Sequence, residues 1–152
     1  MEKTEIKSFD VVGIKIRTAN DGSAATDLPK LWGRFMEANL KEKIPNKADD
    51  SIYFLYSNYE GDHTQPYDAI IGCKVSSLDK IPDGMISHHV EAGNMAKFVA
   101  KGSLIKGEAI INKWFEIWKS GADRSFTTDF EVYDERSKDI QNAEVDIFIS
   151  LN

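Results

Sequence analysis

The chain predicts an α+β fold, an antiparallel sheet carrying two helices and built as a duplication. Three observations point there. Short runs alternate apolar and polar residues, the period of a strand with one buried face. Two segments instead space their apolar residues helically: Leu28, Leu31, Trp32, Phe35 and Met36 in one, Ile110, Trp114, Ile117 and Trp118 in the other. Finally, the order strand–helix–strand–strand occurs twice, so residues of about 1–78 and 84–152 read as two repeats of one domain.

The first strand runs through Asp10 to Ile16, and the polar loop Asn20-Asp21-Gly22-Ser23 ends it. Thr26 or Asp27 is expected to cap the first helix, with Pro29 in its first turn. Lys41 to Asp50 reads as a charged loop around Pro45. Strands follow at Ile52 to Tyr56 and Tyr67 to Val75, joined by a loop from Asn58 to Pro66. The connector from Ser76 to Asn94 contains the extended turn Asp79 to Gly84. In the second half, Met95 to Ala100 is a strand ended by Lys101-Gly102-Ser103. The second helix stops near Gly121, and Phe126 to Tyr133 and Ala143 to Leu151 are the last strands. Trp32 and Trp114 thus occupy matching helices.

The stretch Thr127 to Tyr133 carries the chemistry. Phe130 and Val132 alternate with Asp129, Glu131 and Tyr133, so one face is apolar and the other sets a carboxylate beside an aromatic ring. Such a pairing holds an organic cation, the carboxylate supplying counter-charge and the rings cation–π contact. Its place in the second of two similar halves suggests a cleft between them. Pairing the repeats puts Phe54 and Tyr56 on the side of Glu131 and Tyr133, with Tyr53 opposite. Trp32, Trp114 and Trp118 sit on apolar helix faces, which predicts core packing, although a tryptophan at the edge of such a face borders a cleft. The candidate ligand residues are therefore Glu131, Tyr133, Phe54, Tyr56, Trp114 and Phe98.

Composition excludes several classes. Among 152 residues, 41% are hydrophobic and 29% charged, which is not the make-up of a disordered chain. A net charge of −6 argues against nucleic acid as partner, because phosphate binding needs a basic face. Cys73 is the single cysteine and reads as an inert, strand-embedded thiol, so no internal disulfide is expected. The first residues lack an apolar signal region and no run reaches the length of a membrane span, so cytoplasm is the default expectation. His63, His88 and His89 lack the spacing of metal ligands, and no Gly-x-Ser-x-Gly or phosphate loop occurs. No metal or cofactor is expected.

Read in order, several blocks resemble the GyrI-like (gyrase-inhibitor-like) family, the effector-binding domain of AraC- and MerR-type multidrug regulators. They are Ile52-Tyr53…Tyr56…Tyr59-Glu60-Gly61-Asp62, Tyr67 to Val75, Ile81-Pro82-Asp83-Gly84-Met85 and Glu91 to Phe98. The blocks Trp114…Ile117-Trp118, Asp129 to Tyr133 and Ala143 to Ile147 complete the likeness over nearly the whole chain. It is most similar to the stand-alone integron-associated effector-binding proteins.

The resemblance implies a pseudo-twofold βαββ repeat with a central groove for bulky, often cationic aromatic compounds. Glu131 matches the acid of the family's F-E-x-Y strand, and Tyr133 the aromatic residue two positions on. Regulatory relatives carry a separate DNA-binding domain; here the two repeats occupy the chain and leave no helix-turn-helix. The expected partner is thus an amphipathic organic cation or other small aromatic ligand, with monomer or homodimer left open. Two other readings stand beside this one. The first is a hydrolase of reactive electrophiles using Glu131 as base and Tyr133 as acid. The second is a transcription-related sensor or gyrase-inhibitor-like protein acting through a partner.

Overall fold

The computed structural model describes residues 2–152. Its strands are β1 (Glu2–Ile6), β2 (Phe9–Thr18), β3 (Ile52–Ser57), β4 (Tyr67–Val75), β5 (Ile86–Val90), β6 (Gly93–Gly102), β7 (Thr128–Tyr133) and β8 (Ala143–Ser150). Helix α1 spans Ala24–Glu37, α2 is a single turn over Leu40–Lys43, and α3 spans Glu108–Lys119. The strands form one sheet in the order β1-β6-β8-β7-β3-β4-β2-β5, with every named pair antiparallel.

The order shows the duplication. In the first half β4 lies between β2 and β3; in the second, β8 lies between β6 and β7. The halves meet at β3 and β7, where Phe54 stands opposite Glu131 and Tyr56 opposite Asp129. The edge strands are exchanged. β1 opens the first half but pairs with β6 of the second, and β5 opens the second half but pairs with β2 of the first.

That exchange dictates the shape of the sheet. Only Lys7 and Ser8 join β1, at one end of the sheet, to β2, the seventh strand. Six strand spacings laid flat would separate them by roughly 29 Å, whereas the three peptide steps from Ile6 to Phe9 span at most about 11 Å. The sheet therefore curls until its edges approach. The Phe9 and Phe130 rings, three strands apart in the order, meet at 5.3 Å inside the curl. Val11, Tyr53, Leu55, Ile70, Val90 and Met95 fill the rest of this inner core. Gly13 and Gly72 face each other on β2 and β4, and a Cβ built on Gly13 would collide with the Ile71 carbonyl oxygen. Glycine is needed there because the two backbones come closer than any side chain allows.

Both long helices cover the opposite face. Leu31 and Phe35 of α1 lie on Val12, Ile14, Ile71 and Cys73, and Ile117 of α3 lies on Val145, Ile147 and Ile149. Full burial of Leu31 or Phe35 contributes about 1.5–3 kcal/mol each. Cys73 is buried in this layer, and burial pushes its thiol pKa up to about 11, so it stays protonated and unreactive.

Several sequence expectations shift. α1 starts at Ala24, with Ser23 already helical, so neither Thr26 nor Asp27 caps it and Pro29 falls inside the helix. Asp27 instead accepts a hydrogen bond from the Thr18 hydroxyl at 2.8 Å. The supposed loop after Leu40 opens with α2, and Lys47 bridges to Val75. β1 and β5 are strands the sequence does not announce: their burial alternates, but the inward positions include the polar Thr4 and His88, so no apolar alternation marks them. Phe126 lies outside β7 in the left-handed region at φ 55°.

Candidate functional site

The helices do not cover the whole sheet. α1 packs over β2 and β4 and α3 over β6, so the β3–β7 seam lies between them, met by Trp32 and Trp114 from the helix flanks. The seam becomes the floor of a groove of about 1480 Å³, with α1 and α3 as its walls. Odd positions of β7 and even positions of β3 share this face because side chains alternate along a strand. Glu131, Tyr133, Phe54 and Tyr56 therefore stand together on the floor.

Glu131 is 1% exposed and its carboxylate accepts three hydrogen bonds. Tyr56 donates to Oε2 at 2.5 Å, Trp114 Nε1 to the same oxygen at 2.7 Å, and Tyr133 to Oε1 at 2.5 Å. Tyr133 reaches it from two residues along β7, Tyr56 from the diagonal position on β3, and Trp114 from α3 above. All three donors are neutral. Burial raises the carboxyl pKa above its ordinary value, and the three hydrogen bonds offset that rise only in part. Burial and the facing carboxylate also push the Tyr56 and Tyr133 phenols well above the usual tyrosine range, which keeps them protonated donors.

Aromatic rings continue outward. Trp32 of α1 stacks on Phe54 at 5.6 Å and 8°, and meets Tyr133 edge-on at 4.8 Å. Trp114 meets Tyr56 edge-on at 4.9 Å, and Trp118 stacks on His63 at 5.1 Å. At the rim, Met36, Ile105, Ile111, Phe115 and Ile140 line the groove while exposed to solvent. Among the described residues, only two other large hydrophobics, Leu78 and Ile81, are as exposed, so the apolar surface is concentrated here.

A second carboxylate lies two residues along β7. Asp129 is 0% exposed and fully coordinated. Its Oδ1 accepts from the Ser150 amide at 2.8 Å and hydroxyl at 3.2 Å; its Oδ2 accepts from Tyr59 and from Arg124 Nη2, both at 2.7 Å. The Arg124 guanidinium lies over the Phe126 ring at 4.3 Å and the Trp114 ring at 5.9 Å.

Of the candidate ligand residues, Glu131, Tyr133, Phe54, Tyr56 and Trp114 converge on the groove. Phe98 does not: on β6 it packs into the core beneath α3, outside the lining. Trp32 and Trp114 pack against the core and border the groove as well. Trp32, Trp114 and Trp118 are half-buried and line the groove, because each lies at the flank of its helix face while Leu31, Phe35 and Ile117 take the centre. Sequence reasoning missed Arg124 and Tyr59, loop residues without periodicity whose partner Asp129 is distant from Tyr59 along the chain. His88 and His89 point to opposite faces of β5, toward Thr128 and Asp10 respectively. No group of three or more metal-ligating side chains occurs among the described residues, and no helix among them is long and apolar enough to cross a membrane.

The family model for the integron-associated effector binding protein matches residues 4–151. The chain belongs to this family. The Vibrio cholerae integron cassette protein VCH_CASS2 is 29% identical in sequence and superposes with a TM-score of 0.78, over 99% of this chain and 95% of that one. YobU of Bacillus subtilis (strain 168), described as a candidate transcriptional regulator, is 28% identical over 97% of this chain and 93% of its own length. The structure of SAV2435 bound to tetraphenylphosphonium has a TM-score of 0.81 at 16% identity, over 99% of this chain and 93% of that one, a likeness of fold. The α+β fold is thus shared with these structural neighbours of the effector-binding family.

Proposed function

We propose that the protein is a binding module for amphipathic aromatic compounds that carry a positive charge, with Glu131 as the acid at the groove floor. The observation that carries this reading is a buried carboxylate met only by neutral donors, under a ring of aromatic side chains. A charge in that position lacks a counter-ion, and a ligand cation supplies one. Trp32, Trp114 and Trp118 offer faces or edges to the same ligand, and each well-placed ring contributes ~0.5–2 kcal/mol. A groove of about 1480 Å³ exceeds the roughly 300–1,000 Å³ of a common drug site, which favours a bulky ligand. The tetraphenylphosphonium bound by SAV2435 is such a compound. Stacking and apolar contact tolerate many shapes, so selectivity is broad.

The test is a titration of groove tryptophan fluorescence with aromatic dyes of matched shape, cationic and neutral. Cationic dyes should quench saturably, and Glu131→Gln should weaken them far more than the neutral ones. Equal loss for both sets would refute the role of Glu131.

A second reading draws on the same hydrogen bonds. A carboxyl with raised pKa between two protonated phenols has the parts of an acid–base pair, and hydrolysis of a reactive electrophile could use them. Turnover lost in Glu131→Gln would favour it over simple capture.

A further inference from the structure

The Arg124 side chain is 6% exposed, yet it makes one hydrogen bond, from Nη2 to Asp129. Its Nε and Nη1 are buried with no partner. A guanidinium has five donors in a planar fork, and leaving them unmet inside a protein is costly. The neighbouring rings do not meet that need. The Phe126 and Trp114 ring centroids lie 4.3 Å and 5.9 Å from the guanidinium carbon and offer π faces, which are weak acceptors beside an oxygen. Asp129 has no oxygen to spare, since Ser150, Tyr59 and Nη2 already occupy both. Arg124 belongs to the groove lining, and Trp114 touches both Arg124 and Glu131.

We propose that the unpaired N–H groups of Arg124 form an anion subsite of the groove, so that the preferred ligands are dipolar: an aromatic body bearing a cationic centre and a carboxylate or similar oxyanion. This rests on the reading of Glu131 as the acid that meets the cation. Asp129 and Glu131 are two residues apart on one face of β7, which spaces the two carboxylate-bearing positions roughly 7 Å apart along the strand, with Arg124 held at Asp129. A carboxylate arriving at Nη1 accepts a charge-assisted hydrogen bond, and at the end of the fork it can also reach the second N–H of Nη2 to close a bidentate pair. Entry needs a side-chain shift of Trp114 or Phe126, the rings packed on the guanidinium. Trp114 is the ring whose N–H is released when a cation takes its place at Glu131. Cation capture at one pole thereby opens the other.

The probe is a matched pair of xanthene dyes, a monocationic ethyl ester and its zwitterionic free acid, followed by anisotropy. The intact protein should bind the acid about tenfold or more tightly than the ester, the scale of hydrogen bonds to a charged group. Arg124→Lys keeps the charge beside Asp129 but loses the fork, and should bring the ratio of acid to ester affinity to about one. The double variant Arg124→Met with Asp129→Asn removes the ion pair as a unit, so it serves where the single change unfolds the chain, and should give the same result. Ester binding with no advantage for the acid, or an advantage that survives both variants, overturns the subsite and leaves the groove reading intact. Failure of both dyes to bind overturns the groove reading and the subsite with it.

Discussion

Asp129 and Glu131 stand two residues apart on the same face of the same strand, both buried, and their surroundings differ completely. Asp129 receives a guanidinium, a phenol, a backbone amide and a hydroxyl. Glu131 receives two phenols and an indole, with no cation. One carboxylate is neutralised by the fold. The other has its burial offset only in part, by three neutral donors, at the floor of the groove. Burial alone does not separate the two; on the proposed function, the missing counter-ion is what suits Glu131 to a cationic ligand.

The sharpest break of this comparison is thermodynamic. Asp129→Ala strands a buried guanidinium and should lower stability by about 3–5 kcal/mol, read as a lower urea midpoint. Glu131→Gln keeps the shape, removes an uncompensated charge, and should leave stability within about 1 kcal/mol of the parent or raise it. Comparable losses in the two variants would erase the distinction. Next in size is ligand affinity, where Glu131→Gln should cost a cationic dye about 2–3 kcal/mol, measured by calorimetry.

Acidity sharpens the comparison further. The carboxyl of Glu131 is raised above its ordinary 4.5 in the unliganded fold, so its contribution to stability is fully present below 4.5 and is lost as pH rises through the raised value. A bound cation favours the ionised form. Cation affinity should therefore increase across the same window, by up to about tenfold per pH unit, with proton release on binding. Calorimetry in buffers of different ionisation enthalpy would detect that proton, and a pH-independent affinity would argue against the raised value. The smallest effect is expected at Phe98, where Phe98→Leu should cost about 1 kcal/mol of stability and leave dye binding unchanged.

The parts legible in the sequence were those with a local period. Alternation in Thr128–Tyr133 and Ile52–Ser57 placed Glu131, Tyr133, Phe54 and Tyr56 on one side, and helical spacing located α1 and α3. What escaped was non-local. Nothing near Arg124 announces that its loop folds back on Asp129, and the sequence of Glu2–Ile6 does not tell which strand it will join. The tryptophans fall between these cases. Their spacing put them on an apolar face, but whether a face meets a sheet or a groove depends on how far apart the two helices stand.

The exchange of β1 and β5 also sets the order in which this groove can come into being. Glu2 must find Lys97 and Val11 must find His88 before the sheet has its edges, so the contacts that complete it are among the most distant along the chain. Such contacts form late, because a long loop must close before it is rewarded. The seam between β3 and β7, and with it the groove floor, exists only once both halves have docked. A partly folded chain offers a ligand nothing to hold, so any compound that fits the groove acts on the finished fold alone and lengthens its lifetime.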